Sequence, residues 1–176
     1  VKLWQGDPSK SHDFLLQAKT MGTTALEDVR RAVATLRTNP LQAKSLPEAI
    51  AHLAQQFTAS TGITPRTQVS TPTLPSHLQV AVYRIVQEAL TNISRHAQAG
   101  TVEIFIQPVP LAQGGGLSVT VRDDGQGFFL EDNPTGFGLK GMRERTEAEG
   151  GRFQLISAPG QGCTIQVWLP GTHWQA

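Results

Sequence analysis

The sequence predicts an α+β fold in which one mixed or antiparallel sheet is covered by helices on one face, with a helical segment ahead of it. Two observations predict it. Apolar residues alternate with polar ones at Val102, Ile104 and Ile106, at Leu117, Val119 and Val121, at Phe153 and Leu155, and at Ile165, Val167 and Leu169. That period belongs to strands with a single buried face. Elsewhere apolar residues recur at steps of three and four, the period of amphipathic helices. The order is helix, helix, strand, helix, strand, strand, helix, strand, strand, with no internal repeat.

The first helical stretch covers residues 1–38. Val1 to Gln5 reads as the tail of one helix, broken at Gly6-Asp7-Pro8, with Asp7 an N-cap and Pro8 at a favourable first position. From there Leu15, Ala18, Gly22, Ala25, Val29, Ala32 and Leu36 form a narrow heptad seam that stops at Asn39-Pro40. So narrow a seam suits a helical bundle with another chain better than a globular surface. Ser45-Leu46-Pro47-Glu48 has capping-box spacing, and the helix it opens carries Ile50, Leu53, Ala54 and Phe57 on one face before Gly62. Thr64 to Ser70 reads as a short edge strand. Ser76 is the expected N-cap of a helix reaching about Ala99, with Leu78, Val82, Ile85, Ala89, Ile93 and Ala97 as its buried stripe. Pro108 to Gly116 is a loop between two strands. Leu139, Met142, Arg143 and Thr146 mark a helix that breaks at Gly150-Gly151. The chain closes with a hairpin turning at Pro159-Gly160-Gln161-Gly162.

Composition narrows the function classes. A chain of 176 residues can build one good core, or a domain with an appendage. Its 15 basic and 14 acidic residues leave a formal charge of +1, which argues against a general nucleic-acid or membrane-surface binder. The single cysteine, Cys163, allows no internal disulfide and fits a reducing compartment. No apolar run approaches the ~20 residues that cross a bilayer. The start at Val1, without methionine and inside a helical pattern, predicts a piece of a longer protein.

Two constellations carry chemistry. The strand at Val119 and Val121 ends in Asp123-Asp124-Gly125-Gln126-Gly127, and Gly136, Gly138 and Gly141 follow at a helix start. A glycine-rich turn feeding a helix N-terminus cradles phosphate, because free N–H groups and the positive end of the helix dipole point the same way. On the helix after Ser76, Arg84, Glu88, Asn92 and His96 recur every four residues, so they share one stripe. Read blandly it is a solvated face; read chemically, Glu88 and Asn92 offer the hard oxygens that Mg²⁺ takes alongside phosphates. His52, His77 and His173 have no companions at ligand spacing and read as surface residues.

Three motifs in order resemble a known family. RIVQEALTNISRHA (84–97) is similar to the N box of two-component sensor histidine kinases, VRDDGQGF (121–128) to their D box, and GFGLKGMRERTEAEGG (136–151) to their second glycine box. The closing GQGCTIQVWLP is similar to the family's end. The wording is closest to the subgroup typified by nitrate sensors and the membrane-fluidity kinase of bacilli, whose response regulators are of the helix-turn-helix type. ALEDVRRAVATLR resembles the second helix of that subgroup's dimerisation hairpin.

The resemblance implies a two-layer α/β sandwich of the gyrase-type ATPase superfamily, with ATP and Mg²⁺ bound between helices and sheet. It implies that residues 1–40 are the C-terminal part of a dimerisation and phosphotransfer hairpin, and residues 41–176 the catalytic domain. Asp123 would accept a hydrogen bond from the adenine amino group, and Gly125 and Gly127 would let the chain pass close to the base. Asn92 would hold Mg²⁺, with Glu88 holding a metal-bound water or serving as base, and Arg95 and His96 would face the phosphates. Glu88, Asn92 and His96 thus form the catalytic set. Gly136, Gly138, Leu139 and Gly141 would offer N–H groups to phosphate, and Met142 is grouped with them as nucleotide-binding. Phe129 to Thr135 would be a short lid, mobile without nucleotide. The implied partners are a response regulator and, in the intact protein, a second copy of the chain. Nucleic acid is not among them. The implied location is cytoplasmic, with any membrane anchor outside this stretch.

Two departures stand out. Cys163, grouped with the nucleotide-binding residues, occupies a position where the family usually has threonine, so a thiol, a weaker hydrogen-bond partner, stands in place of the hydroxyl near adenine, with Thr164 beside it. His12-Asp13-Phe14-Leu15-Leu16-Gln17 matches the letters around the subgroup's phosphate-accepting histidine, but only 17 residues separate His12 from Val29. His12 is therefore expected to be a surface residue and the acceptor to lie before Val1. Two other readings stay open: a degenerate nucleotide-binding scaffold, or a serine-specific kinase of the anti-sigma type in the same superfamily.

Overall fold

The computed structural model describes residues 44–130 and 137–171, together with positions 15, 22 and 41. The chain divides into two compact units, Val1–Gln42 and Ala43–Ala176. In the first, Leu15 and Gly22 are helical and exposed; the rest of the heptad seam, Asp7, Pro8 and His12 lie outside the described residues.

Helix α1 (Leu46–Thr61) begins as its sequence dictates. The Glu48 carboxylate accepts the Ser45 N–H at 2.8 Å and the Glu48 N–H reaches back to the Ser45 hydroxyl, while Pro47 lies in the first turn. The helix ends at Gly62, whose φ of 77° lets its N–H return to the Thr58 carbonyl. Leu46, Ala49, Ile50, Leu53, Ala54 and Phe57 are its buried face. After strand β1 (Arg66–Val69) comes α2 (Ser76–Asn92). The expected cap at Ser76 is corrected by the structure: Pro75 is the N-cap, its carbonyl accepts the Gln79 N–H, and Ser76 is the first helical residue.

The far end of α2 differs more from its pattern. Rather than running as α-helix to about Ala99, the chain widens into a π turn (Ile93–Ala97) and leaves through Gln98 in the left-handed region, φ 52°. Strands β2 (Val102–Val109) and β3 (Gly116–Asp123) follow, then α3 (Phe137–Ala148), β4 (Arg152–Ser157) and β5 (Cys163–Leu169).

The five strands form one sheet in the order β1-β2-β3-β5-β4. Only the β1–β2 pair is parallel, so the sheet is mixed. The alternating residues of β2, β3 and β5 (Val102, Ile104, Ile106; Leu117, Val119, Val121; Ile165, Val167, Leu169) all turn their apolar sides into the core. Leu78, Val82, Ile85, Ala89 and Ile93 of the α2 stripe meet them, with Met142 of α3. The opposite face of the sheet carries Glu103, Thr120, Gln154 and Gln166, half-buried or exposed, as a single helical layer requires. Among the described residues no helix is long and apolar enough to cross a membrane.

Candidate functional site

Strand parity decides what the end of β3 can do. Leu117, Val119 and Val121 face the helices, so Asp123, two residues on, does too. The residue is buried at the edge of an apolar layer, with a relative exposure of only 4 %. Burial pushes its pKa up; the Gly125 N–H at 2.9 Å and the backbone of Cys163 pull the other way, and the charge of Asp124 adds to the rise. Cys163 pairs with Asp123 across the sheet and sits half-buried beside it. Burial, and then the charge of Asp123, push its thiol up to about 12. The group at the threonine position is therefore a neutral thiol.

Asp123 and Cys163 open into a cavity of about 360 Å³ between α2, the π turn, α3 and the sheet. Ala89, Ile93, Val121 and Ile165 form an apolar wall, and Asp123 is the charged acceptor in it. Such a slot suits a flat, mostly apolar ring with one polar edge. Asn92, His96, Gly138 and Leu139 line the same cavity, so amide, imidazole and the first turn of a helix converge on it. The loop after β3 closes it with Gln126, Gly127 and Phe128. Gly127, at φ 59°, packs its α-carbon against the Ala158 carbonyl, where a Cβ would collide; no other residue fits without moving that backbone.

The predicted site residues thus separate into groups. Asn92, His96, Asp123, Gly127, Gly138, Leu139 and Cys163 are brought together around the cavity. Gly125 supports it from behind, its α-carbon pressed on the Ala97 carbonyl. The Glu88 carboxylate lies against Gly138, where a Cβ would collide with it, in the first turn of α3. A carboxylate there is favoured by the helix dipole. Arg95 is exposed on the π turn and is not part of the cavity wall. Gly141 also lies outside the wall, and Met142, fully buried, belongs to the core. Gly136, and residues 131–135 of the expected lid, lie outside the described residues; Phe129 and Leu130, just before them, are exposed. Arg84 is withdrawn from the polar stripe: its guanidinium lies over the Tyr83 ring at 5.5 Å and donates to Gln87 at 2.8 Å. His52 is exposed, and His77 reaches Glu149 at 3.5 Å.

Sequence reasoning missed Gln126 and Phe128 as cavity residues, and counted Ala89, Ile93, Val121 and Ile165 as core alone. Their apolar character announces burial, but only the sheet-to-helix spacing shows that a gap lies between them. Among the described residues no three His, Cys, Asp or Glu side chains group as a metal cluster. The oxygens of Asn92 and Glu88, near the cavity and at the α3 N-terminus, do fit an oxygen-preferring cation that takes its other ligands from phosphate and water.

Comparison with known proteins bears on the family and the fold. Residues 77–173 match the family described as histidine kinase-, DNA gyrase B-, and HSP90-like ATPase. The sensor histidine kinase LnrJ of Bacillus subtilis is 33 % identical over 173 residues, 95 % of this chain and 40 % of its own length. The oxygen sensor histidine kinase NreB of Staphylococcus carnosus is 30 % identical over 173 residues, 96 % of this chain and 49 % of its own. The chain therefore spans less than half the length of these curated relatives. The histidine kinase AdeS of Acinetobacter baumannii shares the fold at a TM-score of 0.63 and 16 % identity, covering 98 % of this chain and 95 % of that one. The blue-light-activated histidine kinase EL346 of Erythrobacter litoralis does so at 0.66 and 21 %, over 84 % and 49 %.

Proposed function

Since the chain belongs to the histidine kinase-, DNA gyrase B- and HSP90-like ATPase family, we propose that it is the ATP-binding kinase portion of a cytoplasmic sensor histidine kinase. The observation that carries the reading is the buried Asp123 carboxylate in an apolar slot, with Asn92, His96 and Gly138 lining the same cavity. That pairing of acceptor and slot suits adenine: the carboxylate accepts from its exocyclic amine and repels the carbonyl that guanine would present there. The apolar wall of Ala89, Ile93, Val121 and Ile165 takes the ring faces and keeps water from the hydrogen bond.

The phosphates belong with Asn92, His96 and the first turn of α3. The N–H groups of that turn point to the anion, and His96, exposed at the mouth, adds a donor. Mg²⁺, held by Asn92 and through Glu88, would neutralise phosphate charge. Phosphoryl transfer asks mainly for positioning and charge neutralisation, which these side chains supply without a covalent intermediate on the domain. Residues 1–40 read as part of a dimerisation and phosphotransfer hairpin, and 41–176 as the catalytic domain. In the intact homodimeric kinase the phosphoryl group would pass to a histidine outside the catalytic domain, then to an aspartate of a response regulator with a helix-turn-helix output.

Calorimetric titration with ADP and Mg²⁺, on the wild type and on Asp123→Asn, tests the reading. We expect binding by the wild type and at least about a tenfold loss in the variant, the worth of a hydrogen bond to a charged group. Absence of binding by the wild type at millimolar nucleotide refutes the nucleotide reading; equal binding by both refutes the adenine contact.

A further inference from the structure

The end of α2 is held by a loop that lies thirty residues downstream. Where the π turn stops at Gln98, the carbonyls of His96 and Ala97 have no further helical N–H to accept. The loop after β3 supplies the donors instead. The Gln126 side-chain Nε2 donates to the His96 carbonyl at 2.5 Å, and the Gln126 N–H donates to the Ala97 carbonyl at 2.7 Å. Beside them the Asp124 carboxylate accepts the N–H groups of Gly100 and Thr101, each at 2.8 Å. The same loop is pinned on its other side, where the Gln126 carbonyl accepts the Gly160 N–H at 2.6 Å.

Two of these five contacts use main chain alone, and the Asp124 pair holds the chain after the turn. Gln126 provides the side-chain hydrogen bond to the turn itself, and it does so at the residue that carries the His96 imidazole. We propose that Gln126 is a positioning residue for the phosphate end of the site: by capping the π turn it sets the direction in which Asn92 and His96 face the cavity. Gln126 also lines the cavity, but the carboxylate at the adenine end is not held by its side chain: Asp123 is held by the Gly125 N–H and by its strand partner Cys163. The amide is well suited to this task, since its NH₂ donates without bringing a charge to the mouth of an anion site. This inference rests on the nucleotide reading for its functional consequence, though the cap itself does not.

The test compares Gln126→Met, which keeps length and neutrality but removes the donor, with the wild type. ADP with Mg²⁺ and adenosine are titrated in parallel, and backbone amide hydrogen exchange is measured without ligand. The expected result is an ADP affinity about threefold to tenfold lower, a smaller loss for adenosine so that the ADP-to-adenosine affinity ratio falls at least about threefold, and exchange at least about threefold faster over residues 93–98. A parallel fall in both affinities marks general damage to the fold and overturns the positioning role, as does an unchanged ADP-to-adenosine ratio. Unchanged exchange over 93–98 overturns the cap whether or not either ligand binds. A wild type that binds neither ligand while exchange responds as expected refutes the nucleotide reading and the phosphate-positioning role with it.

Discussion

Asp123 sets function against stability within one side chain. Its raised pKa means that the folded state binds the proton more tightly than the unfolded chain does. Its own contribution to stability is therefore fully present below the unfolded pKa and lost as pH rises through the folded value. Asp123→Asn keeps an acceptor for the Gly125 N–H and removes a desolvated charge. The variant should melt at or above the wild-type temperature at pH 7, with the gap closing as pH falls, in thermal scans from pH 4 to 8. Nucleotide affinity should move the other way, weakening as acid protonates the carboxylate proposed to accept from adenine. Asp124 has the opposite sign: the N–H groups of Thr101 and Gly100 lower its pKa, so its contribution is present above the unfolded value and fades as pH falls through the folded one. At Cys163 a thiol pushed up to about 12 is almost wholly protonated at neutral pH. Alkylation by iodoacetamide at pH 7.5 should be many times slower than that of a free thiol, and should accelerate to the free-thiol rate in denaturant.

At the scale of elements, the ends matter more than the middles. The Ser45–Glu48 box satisfies the first N–H groups of α1, and Ser45→Ala should cost about 1 kcal/mol, read as a lowered urea midpoint with unchanged slope. Helix α2 ends by a different device, the π turn, which takes its capping from the loop after β3. A four-residue period assigns Arg84, Glu88, Asn92 and His96 to one stripe, and in the fold they serve three places: the Tyr83 ring, the N-terminus of α3 and the cavity. The period locates a face of a helix but does not say what packs on each turn of it. Met142 shows the same limit: it follows Leu139 by three residues on α3, yet Leu139 lines the cavity and Met142 is in the core.

For the whole molecule, the sheet and its single helical layer share one core, so damage in it should lower the folded fraction of the whole domain. Ile85, fully buried on α2, lies under the sheet two turns before the cavity residues Asn92 and Ile93. Ile85→Ala should destabilise the domain by about 3 kcal/mol in chemical denaturation, without altering nucleotide affinity in the fraction that stays folded. What local chemistry dictates was legible in the sequence alone: the capping box at Ser45, the stop at Gly62, the alternation of the strands, the buried stripe of α2 and the family itself. Those signals involve residues within a few positions of one another, where sterics and periodicity act directly. The strand order β1-β2-β3-β5-β4, the gap behind Ala89 and Ile93, the burial of Met142 and the Gln126 cap were decided only by the tertiary structure. Each depends on groups distant in the chain meeting at a set spacing, and no local pattern encodes which carbonyl a glutamine thirty residues away will find.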